Sequence, residues 1–232
     1  PSIIKTFNID PSSFLGNKKS KNSIEAPNKV YFENTQGILP DIISKLHLAR
    51  EKAKKEKREF ANYAIKITMN SFWGVLASQN CRYFNFDMAS AITAYARMII
   101  QQTAKKIEEK GYKVIYSDTD SVFIDTELNK EKAEKLSKEL ENYINNFYKE
   151  LVKKDYNRDS FLELQFAKHY LSMMIPNIRE KKDVEAKAAK KRYAGLIEKA
   201  GKEHLDIVGL EAIRGDWTEA AQEFQKELLM KV

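Results

Sequence analysis

Asp118 and Asp120 lie in the run Tyr116-Ser117-Asp118-Thr119-Asp120-Ser121, between short stretches rich in Val, Ile, Tyr and Phe. Two carboxylates held this close repel each other unless a cation sits between them. Oxygen donors of this kind favour Mg²⁺, which keeps several waters and also takes substrate phosphates. Two such ions can clamp the attacking and leaving oxygens of an in-line phosphoryl transfer. The same residue types also favour a plain polar turn, and the tripeptide alone leaves both readings open.

Three further groups could do chemistry. Lys66 and Asn70 are four residues apart, as are Arg50 and Lys54, so each pair projects from one helix face. A basic face opposite a carboxylate-bound metal could hold a triphosphate, the Arg as a fork and the Lys residues as point charges. The plainer alternative is a solvated charged surface, and Glu51 and Glu56 within the basic run favour it for residues 50–57. In Ser71-Phe72-Trp73-Gly74 a large ring followed by Gly could face a base pair, or could be a core aromatic before a helix end. Lys190-Lys191-Arg192-Tyr193 enters an apolar stretch and could grip a phosphate backbone.

The elements that must position these residues follow from periodicity. Apolar spacing at Ile42, Ile43, Leu46 and Ala49 predicts a helix over 40–58. Phe60, Tyr63, Ala64, Ile67 and Ser71 share one face of a second helix over 60–77, and the two read as an antiparallel hairpin with a tight link. A third helix is expected over 87–110, ended by Gly111. The period then shortens: 113–116 and 122–124 read as strands with the carboxylates at the hairpin tip. Residues 130–153 return to a helical, charge-laced pattern, 161–175 alternate enough for one or two strands, and 191–197 and 204–208 suggest two more. A last amphipathic helix runs from Asp216 to Leu229, with Trp217, Ala220, Ala221, Phe224 and Leu228 along one face. Residues 1–36, broken by Pro1, Pro11 and Pro27, read as extended and irregular, and 179–191 as the most flexible tract.

Composition sets the outer limits. A chain of 232 residues with 43% hydrophobic residues can bury a core and is not a disordered polypeptide. The formal net charge of +7 fits a polyanion partner, with basic residues clustered at 50–58, 105–113 and 179–192. The single cysteine, Cys81, rules out an internal disulfide and a multi-cysteine zinc site. No apolar run is long enough to span a bilayer and no signal peptide opens the chain, so an intracellular or viral replication setting is expected, without a membrane partner.

The motifs together resemble the family B DNA polymerases. Pro1-Ser2-Ile3-Ile4 with Asn8-Ile9-Asp10-Pro11 resembles the tail of the family's first palm motif. Gly37-Ile38-Leu39-Pro40 with Arg50 and Lys54 resembles its first fingers helix, and Lys66 through Gly74 its second. Tyr116 to Ser121 resembles the palm metal motif, and Lys190 to Tyr193 the primer-binding motif. Gly209-Leu210-Glu211 with Arg214, Asp216 and Trp217 resembles the start of the thumb. The matches come in the family's order and cover nearly the whole chain.

The resemblance implies an α+β fold: a polymerase palm with an antiparallel sheet, a helical-hairpin fingers insertion and the start of a helical thumb. Its segments are 1–36 (palm), 37–78 (fingers), 79–208 (palm) and 209–232 (thumb). The palm sheet is expected to contain the 113–125 hairpin and the strands near 161–175 and 191–197. Asp120, with Asp118 beside it, is expected to bind two catalytic Mg²⁺ ions. Arg50, Lys54 and Lys66 would hold the triphosphate of a dNTP, with Lys66 counted among the catalytic groups, Asn70 placing the nucleotide and Trp73 packing near the nascent base pair. Lys190, Lys191, Arg192, Tyr193 and Arg214 would meet primer–template DNA. Trp73 stands where the family usually has Tyr, and Ser117 where it commonly has Gly. The metal-binding Asp and the Tyr that blocks a ribose 2′-hydroxyl belong, in the family's first palm motif, just before the position of Pro1. The expectation is therefore a fragment or subunit, inactive alone, whose other domains lie in the same polypeptide or a second one. A non-catalytic nucleic-acid-binding remnant is the alternative. A nuclease or nucleotidyltransferase of another class is a further rival, against which the Arg50, Lys54 and Lys66 face speaks.

Overall fold

The computed structural model describes residues 1–177, 190–199 and 201–231. Ser2–Thr6 forms a short helix, α1. Three strands of three residues follow, β1 (Phe14–Gly16), β2 (Ser23–Glu25) and β3 (Tyr31–Glu33), paired antiparallel in the order β1-β3-β2. Residues 1–36 are thus more regular than their sequence predicts, because three-residue strands are too short to print an alternation.

Helices α2 (Ile38–Lys55) and α3 (Glu59–Ala77) form the expected hairpin. Pro40 fits the first turn of α2, where its missing N–H is no loss. Asp41 and the closing Lys52, Lys54 and Lys55 match the helix dipole at both ends. Lys57, at φ +55°, turns the chain between the two helices. Helix α4 (Phe86–Glu108) starts on the Asn85 side chain, which accepts from the Met88 N–H at 3.0 Å, and stops before Gly111 at φ +89°. Strands β4 (Lys113–Asp118) and β5 (Ser121–Asp125) make a hairpin, and α5 spans Lys130–Tyr156. Later come β6 (Ser172–Met174), β7 (Tyr193–Lys199), β8 (Lys202–Val208), a 3-10 turn at Glu211–Ile213 and α6 (Glu219–Lys231). The result is the mixed helix and antiparallel-sheet class that the sequence predicts.

The chain divides into two compact units, Pro1–Phe123 with Glu141–Leu164, and Ile124–Leu140 with Gln165–Val232. In the first unit the core is built on α1, α4 and the end of α5. Phe7 and Tyr95 stack at 3.7 Å between ring centroids and Tyr156 meets Phe7 edge-on at 5.1 Å. All three N–H-bearing positions of the Arg158 guanidinium are used to tie the unit together. It donates to the Thr6 carbonyl (2.9 Å), the Asn34 carbonyl (3.0 Å) and side chain (2.9 Å), and Gln36 Oε1 (3.1 Å).

The root of α2 is fixed by two buried side chains from the segment after α1. Asn8, at φ +54°, donates to the Glu33 and Thr35 carbonyls, both at 2.7 Å, and accepts from the Gly37 N–H at 2.9 Å. Asp10 accepts from the Ser12 N–H at 2.7 Å and the Leu39 N–H at 2.5 Å. Gly37, the N-cap residue of α2, supplies no side-chain cap, so Asp10 caps the helix from a distant segment. A Cβ on Gly37 would lie 2.6 Å from the Asp10 Cβ, so this close approach requires glycine.

In the second unit β6, β7 and β8 form an antiparallel sheet in that order, with Tyr193 opposite Val208 and Lys199 opposite Lys202. Gly195 lets the Tyr170 ring lie on β7, since an added Cβ would sit 2.3 Å from that ring. The Tyr170 hydroxyl and Lys168 both donate to Asp206 Oδ2, at 2.5 and 2.8 Å.

Three expectations need correcting. The 113–125 hairpin stands as its own two-stranded sheet and does not share strands with β6-β7-β8. Both edges of β7 are already taken, by β6 and β8. Within 161–175 only Ser172–Met174 is a strand. Nearer its start, side chains accept where a ladder was expected: Phe161 N–H donates to Thr6 Oγ1 (2.9 Å) and Leu164 N–H to Asn145 Oδ1 (2.7 Å). The last helix begins at Glu219, leaving Asp216 and Trp217 in the preceding loop, and none of its residues is buried. Of the tract 179–191, residues 179–189 lie outside the described residues, and Lys190 and Lys191 form a turn.

Candidate functional site: a carboxylate turn and a basic helical hairpin

β4 ends on Asp118 and β5 begins on Ser121, which leaves two residues for the turn. Thr119 adopts φ +53°, a left-handed conformation that costs a β-branched residue about 1–3 kcal/mol. The Asp120 N–H then donates to the Asp118 carbonyl at 2.6 Å and closes the turn. Thr119 Oγ1 donates to Asp118 Oδ1 at 3.0 Å and Ser121 Oγ to the Asp118 carbonyl at 3.1 Å, so both hydroxyls orient Asp118. Asp118 is half-buried and Asp120 exposed.

Among the described residues no group of three His, Cys, Asp or Glu side chains gathers as a metal-ligand set. Two carboxylates on one turn fit a Mg²⁺ that completes its shell with waters and substrate phosphates, and do not make an all-protein cage. Asp10, the buried acid of the first unit, is no third member: its oxygens are engaged by Ser12 and Leu39.

On the hairpin, Arg50 of α2 is half-buried, and its Nε donates to Asn62 Oδ1 of α3 at 2.9 Å. Asn62 lies one helical turn before Lys66, so the guanidinium is drawn to the side of α3 that carries Lys66. Lys54 pairs with Glu51 at 2.7 Å, and this hydrogen bond holds the Glu51 carboxyl below the usual range. Much of the remaining basic run is self-paired too, through Lys52–Glu56 (3.9 Å) and Arg58–Glu56 (2.7 Å). Lys66 and Asn70 are exposed.

The face shared by Phe60, Tyr63, Ala64 and Ile67 also faces solvent, with Phe60 94% exposed. The core side of α3 carries Met69 and Leu76, with Ile65 and Phe72 packed against the cluster. Phe72 is thus the core aromatic, whereas Trp73 is 44% exposed with its Nε1–H donating to the Ala89 carbonyl of α4 at 3.4 Å. A Cβ on Gly74 would meet nothing within 4 Å among the described residues, so their packing does not demand that glycine. α3 packs on α4, and α4 packs on β4, so one helix supports both the basic hairpin and the strand that ends on Asp118.

Lys190 to Tyr193 and Arg214 belong to the second unit. Lys191 has φ +56° and the chain enters β7 at Tyr193. Gly209, at φ +64°, lies against it: a Cβ there would come 1.9 Å from the Lys191 carbonyl oxygen. Arg192 pairs with Glu211, whose other oxygen accepts from Gln225 Nε2 at 3.2 Å. Hydrogen bonds from its own backbone N–H, Gln225 and Arg192 hold the Glu211 carboxyl below the usual range. Arg214 forks onto Asp216, Nε to Oδ1 at 2.9 Å and Nη2 to Oδ2 at 2.6 Å. Two of the five DNA-binding candidates therefore hold carboxylates of their own chain. Asn62 falls outside the motifs read from the sequence, and the pairings of Asn62, Glu211 and the Asn8–Asp10–Gly37 root have no local signal, since their partners lie 12 to 29 residues away.

The family model described as DNA polymerase family B matches residues 1–232. The chain is 36% identical over 237 residues to DNA polymerase II of Escherichia coli (strain K12), a match covering 100% of this chain and 30% of that protein. It is 31% identical over 249 residues to a DNA polymerase of Desulfurococcus sp. (strain Tok), covering 99% of this chain and 28% of that one. The chain thus spans about 30% of the length of these relatives. In fold it is similar to the family B DNA polymerase of the hyperthermophilic archaeon Pyrobaculum calidifontis, with a TM-score of 0.63 and 24% identity over 97% of this chain and 27% of that one.

Proposed function

Because the chain belongs to DNA polymerase family B, we propose that it forms the nucleotide-transfer region of a template-directed DNA polymerase. The reaction is attack of a primer 3′-hydroxyl on the α-phosphorus of a dNTP, with release of pyrophosphate. In this reading α2 and α3 are the fingers, residues 1–36 and 79–208 the palm, and 209–232 the start of the thumb. Positioning and charge neutralisation carry most of the catalysis in such a transfer. The Arg50 fork and the Lys66 ammonium bind the triphosphate oxygens, Lys54 joins them when it leaves Glu51, Asn70 orients the nucleotide, and Trp73 borders the nascent base pair. Asp118 and Asp120 hold Mg²⁺, and a pair of such ions would supply charge neutralisation at the attacking and leaving oxygens. Lys190, Lys191, Arg192, Tyr193 and Arg214 meet primer–template DNA, Arg192 and Arg214 while also holding Glu211 and Asp216. The remaining polymerase domains and primer–template DNA are the partners.

The observation that carries the reading is the shared support of Lys66, Asn70 and Asp118 by α4. The test is primer extension by the polymerase polypeptide that contains this sequence. Asp120→Ala is expected to abolish extension while the dissociation constant for primer–template stays within about twofold. Extension at the parent rate would overturn the metal assignment. A non-catalytic DNA-binding role predicts equal duplex binding in both proteins and extension by neither.

A further inference from the structure

Arg50 is the only one of the three proposed triphosphate cations whose direction is set by a neutral group. Its Nε–H is taken by Asn62 Oδ1 at 2.9 Å, across the hairpin and 12 residues away. Lys54 is drawn to a carboxylate, Glu51, and Lys66 makes no ion pair among the described residues. The two kinds of restraint differ in consequence. A carboxylate neutralises the cation it holds and competes with an incoming phosphate. An amide carbonyl takes one N–H and leaves the charge whole, with both terminal nitrogens of the fork available for phosphate oxygens.

We infer that Asn62 is a positioning residue that aims Arg50 at the triphosphate of the incoming nucleotide. The inference rests on the proposed role of Arg50. An Arg side chain left unrestrained loses rotamer freedom when it meets its ligand, and that loss weakens binding. Asn62 takes the loss in advance, during folding. It does so from a half-buried site on α3 whose own backbone is secured by the N–H bond to the Arg58 carbonyl at 3.0 Å. Asn62 touches no substrate in this scheme and acts only through Arg50.

The experiment is a double-variant cycle in the polymerase polypeptide that contains this sequence. It reads equilibrium binding of the complementary dNTP to enzyme on a dideoxy-terminated primer–template, where no bond can form. Asn62→Ala is expected to weaken dNTP binding by about three- to tenfold. Arg50→Ala is expected to weaken it at least as much. The double variant should match Arg50→Ala within about twofold, because Asn62 has nothing left to aim. Primer–template affinity and far-ultraviolet circular dichroism serve as controls and should stay at parent values throughout. Unchanged dNTP binding in Asn62→Ala would overturn the inference. So would losses that multiply in the double variant, since Asn62 would then act independently of Arg50. Parent-like dNTP binding in Arg50→Ala would remove the premise, and that outcome is distinct because it strikes the proposed function of Arg50 itself.

Discussion

At the scale of single residues, the cations of the hairpin are not equivalent. Lys66 is exposed and unpaired among the described residues, whereas Lys54 must leave Glu51 before it can reach a phosphate. Lys66→Ala is expected to raise the KM for dNTP by roughly tenfold, the loss of one charge-assisted contact, while duplex affinity persists. Steady-state extension across a dNTP series, with a duplex-binding measurement beside it, reads both; an equal loss of duplex affinity would move Lys66 to the DNA channel. Glu51→Gln should act in the opposite direction and lower the KM by about twofold, because surface pairs of this kind are weak. The Glu51 carboxyl is depressed by Lys54, so the pair is present above the usual carboxylate range and is lost only as pH falls below it. Polymerase assays near neutrality should therefore show the Glu51→Gln effect at every pH. Spacing pairs Arg50 with Lys54 and Lys66 with Asn70 on their helices, because i and i+4 positions meet on any helix. It could not show that Arg192 holds Glu211, a partner 19 residues away that folding brings near, or that the Arg214 fork turns onto Asp216 two residues on.

At the scale of elements, the root of α2 is the most constrained point of the hairpin. Gly37→Ala forces a Cβ to within 2.6 Å of the Asp10 Cβ, both backed by buried structure. The shift required is expected to cost about 1–3 kcal/mol and to lower the melting temperature by roughly 2–4 °C for each kcal/mol. Asp10→Ala removes the cap of α2 and should cost about 1 kcal/mol. Scanning calorimetry checks both, and a Gly37→Ala protein with the parent melting temperature would show that the contact is relaxed. Long helices were legible because α2, α3 and α4 each repeat an apolar pattern over four or more turns. Their buried faces were less so: Phe60, Tyr63 and Ile67 are apolar by type yet exposed, while Met69 and Leu76 face the core. Segment 161–171 alternates like a strand, yet the Phe161, Leu162 and Leu164 N–H groups go to the Thr6, Ser160 and Asn145 side chains, and Leu171 N–H alone is seen to reach a strand carbonyl, that of Leu196. Periodicity reports which residues share a face, and only partners decide whether that face is paired or buried.

At the scale of the whole molecule, the +7 surplus is less available than its count implies. Arg192, Arg214, Lys54 and Arg58 all hold carboxylates. DNA binding should report this through its salt dependence: Lys190→Ala is expected to reduce the slope of log K against log salt by about 0.9, and Arg214→Ala to leave it nearly unchanged. A fluorescence-anisotropy salt titration measures both slopes. The second unit should also be sensitive to alkali. Burial, and then the Asp206 carboxylate, push the Tyr170 hydroxyl well above its ordinary range. Its folded-state value is raised, so its contribution to stability is whole below the ordinary phenol range and falls as pH rises through it. The melting temperature should fall as pH rises above about 10, and Tyr170→Phe should flatten that dependence.

Arg158 sets a schedule for synthesis. Its bonds reach back 152 residues to Thr6 and 124 to Asn34, so the opening segment has no guanidinium to close on until that codon has been translated. At ordinary elongation rates the interval is about 6 to 30 seconds. During it Phe7 emerges ahead of Tyr156, the ring that meets it edge-on, so this part of the core stays open until the end of α5 has been made.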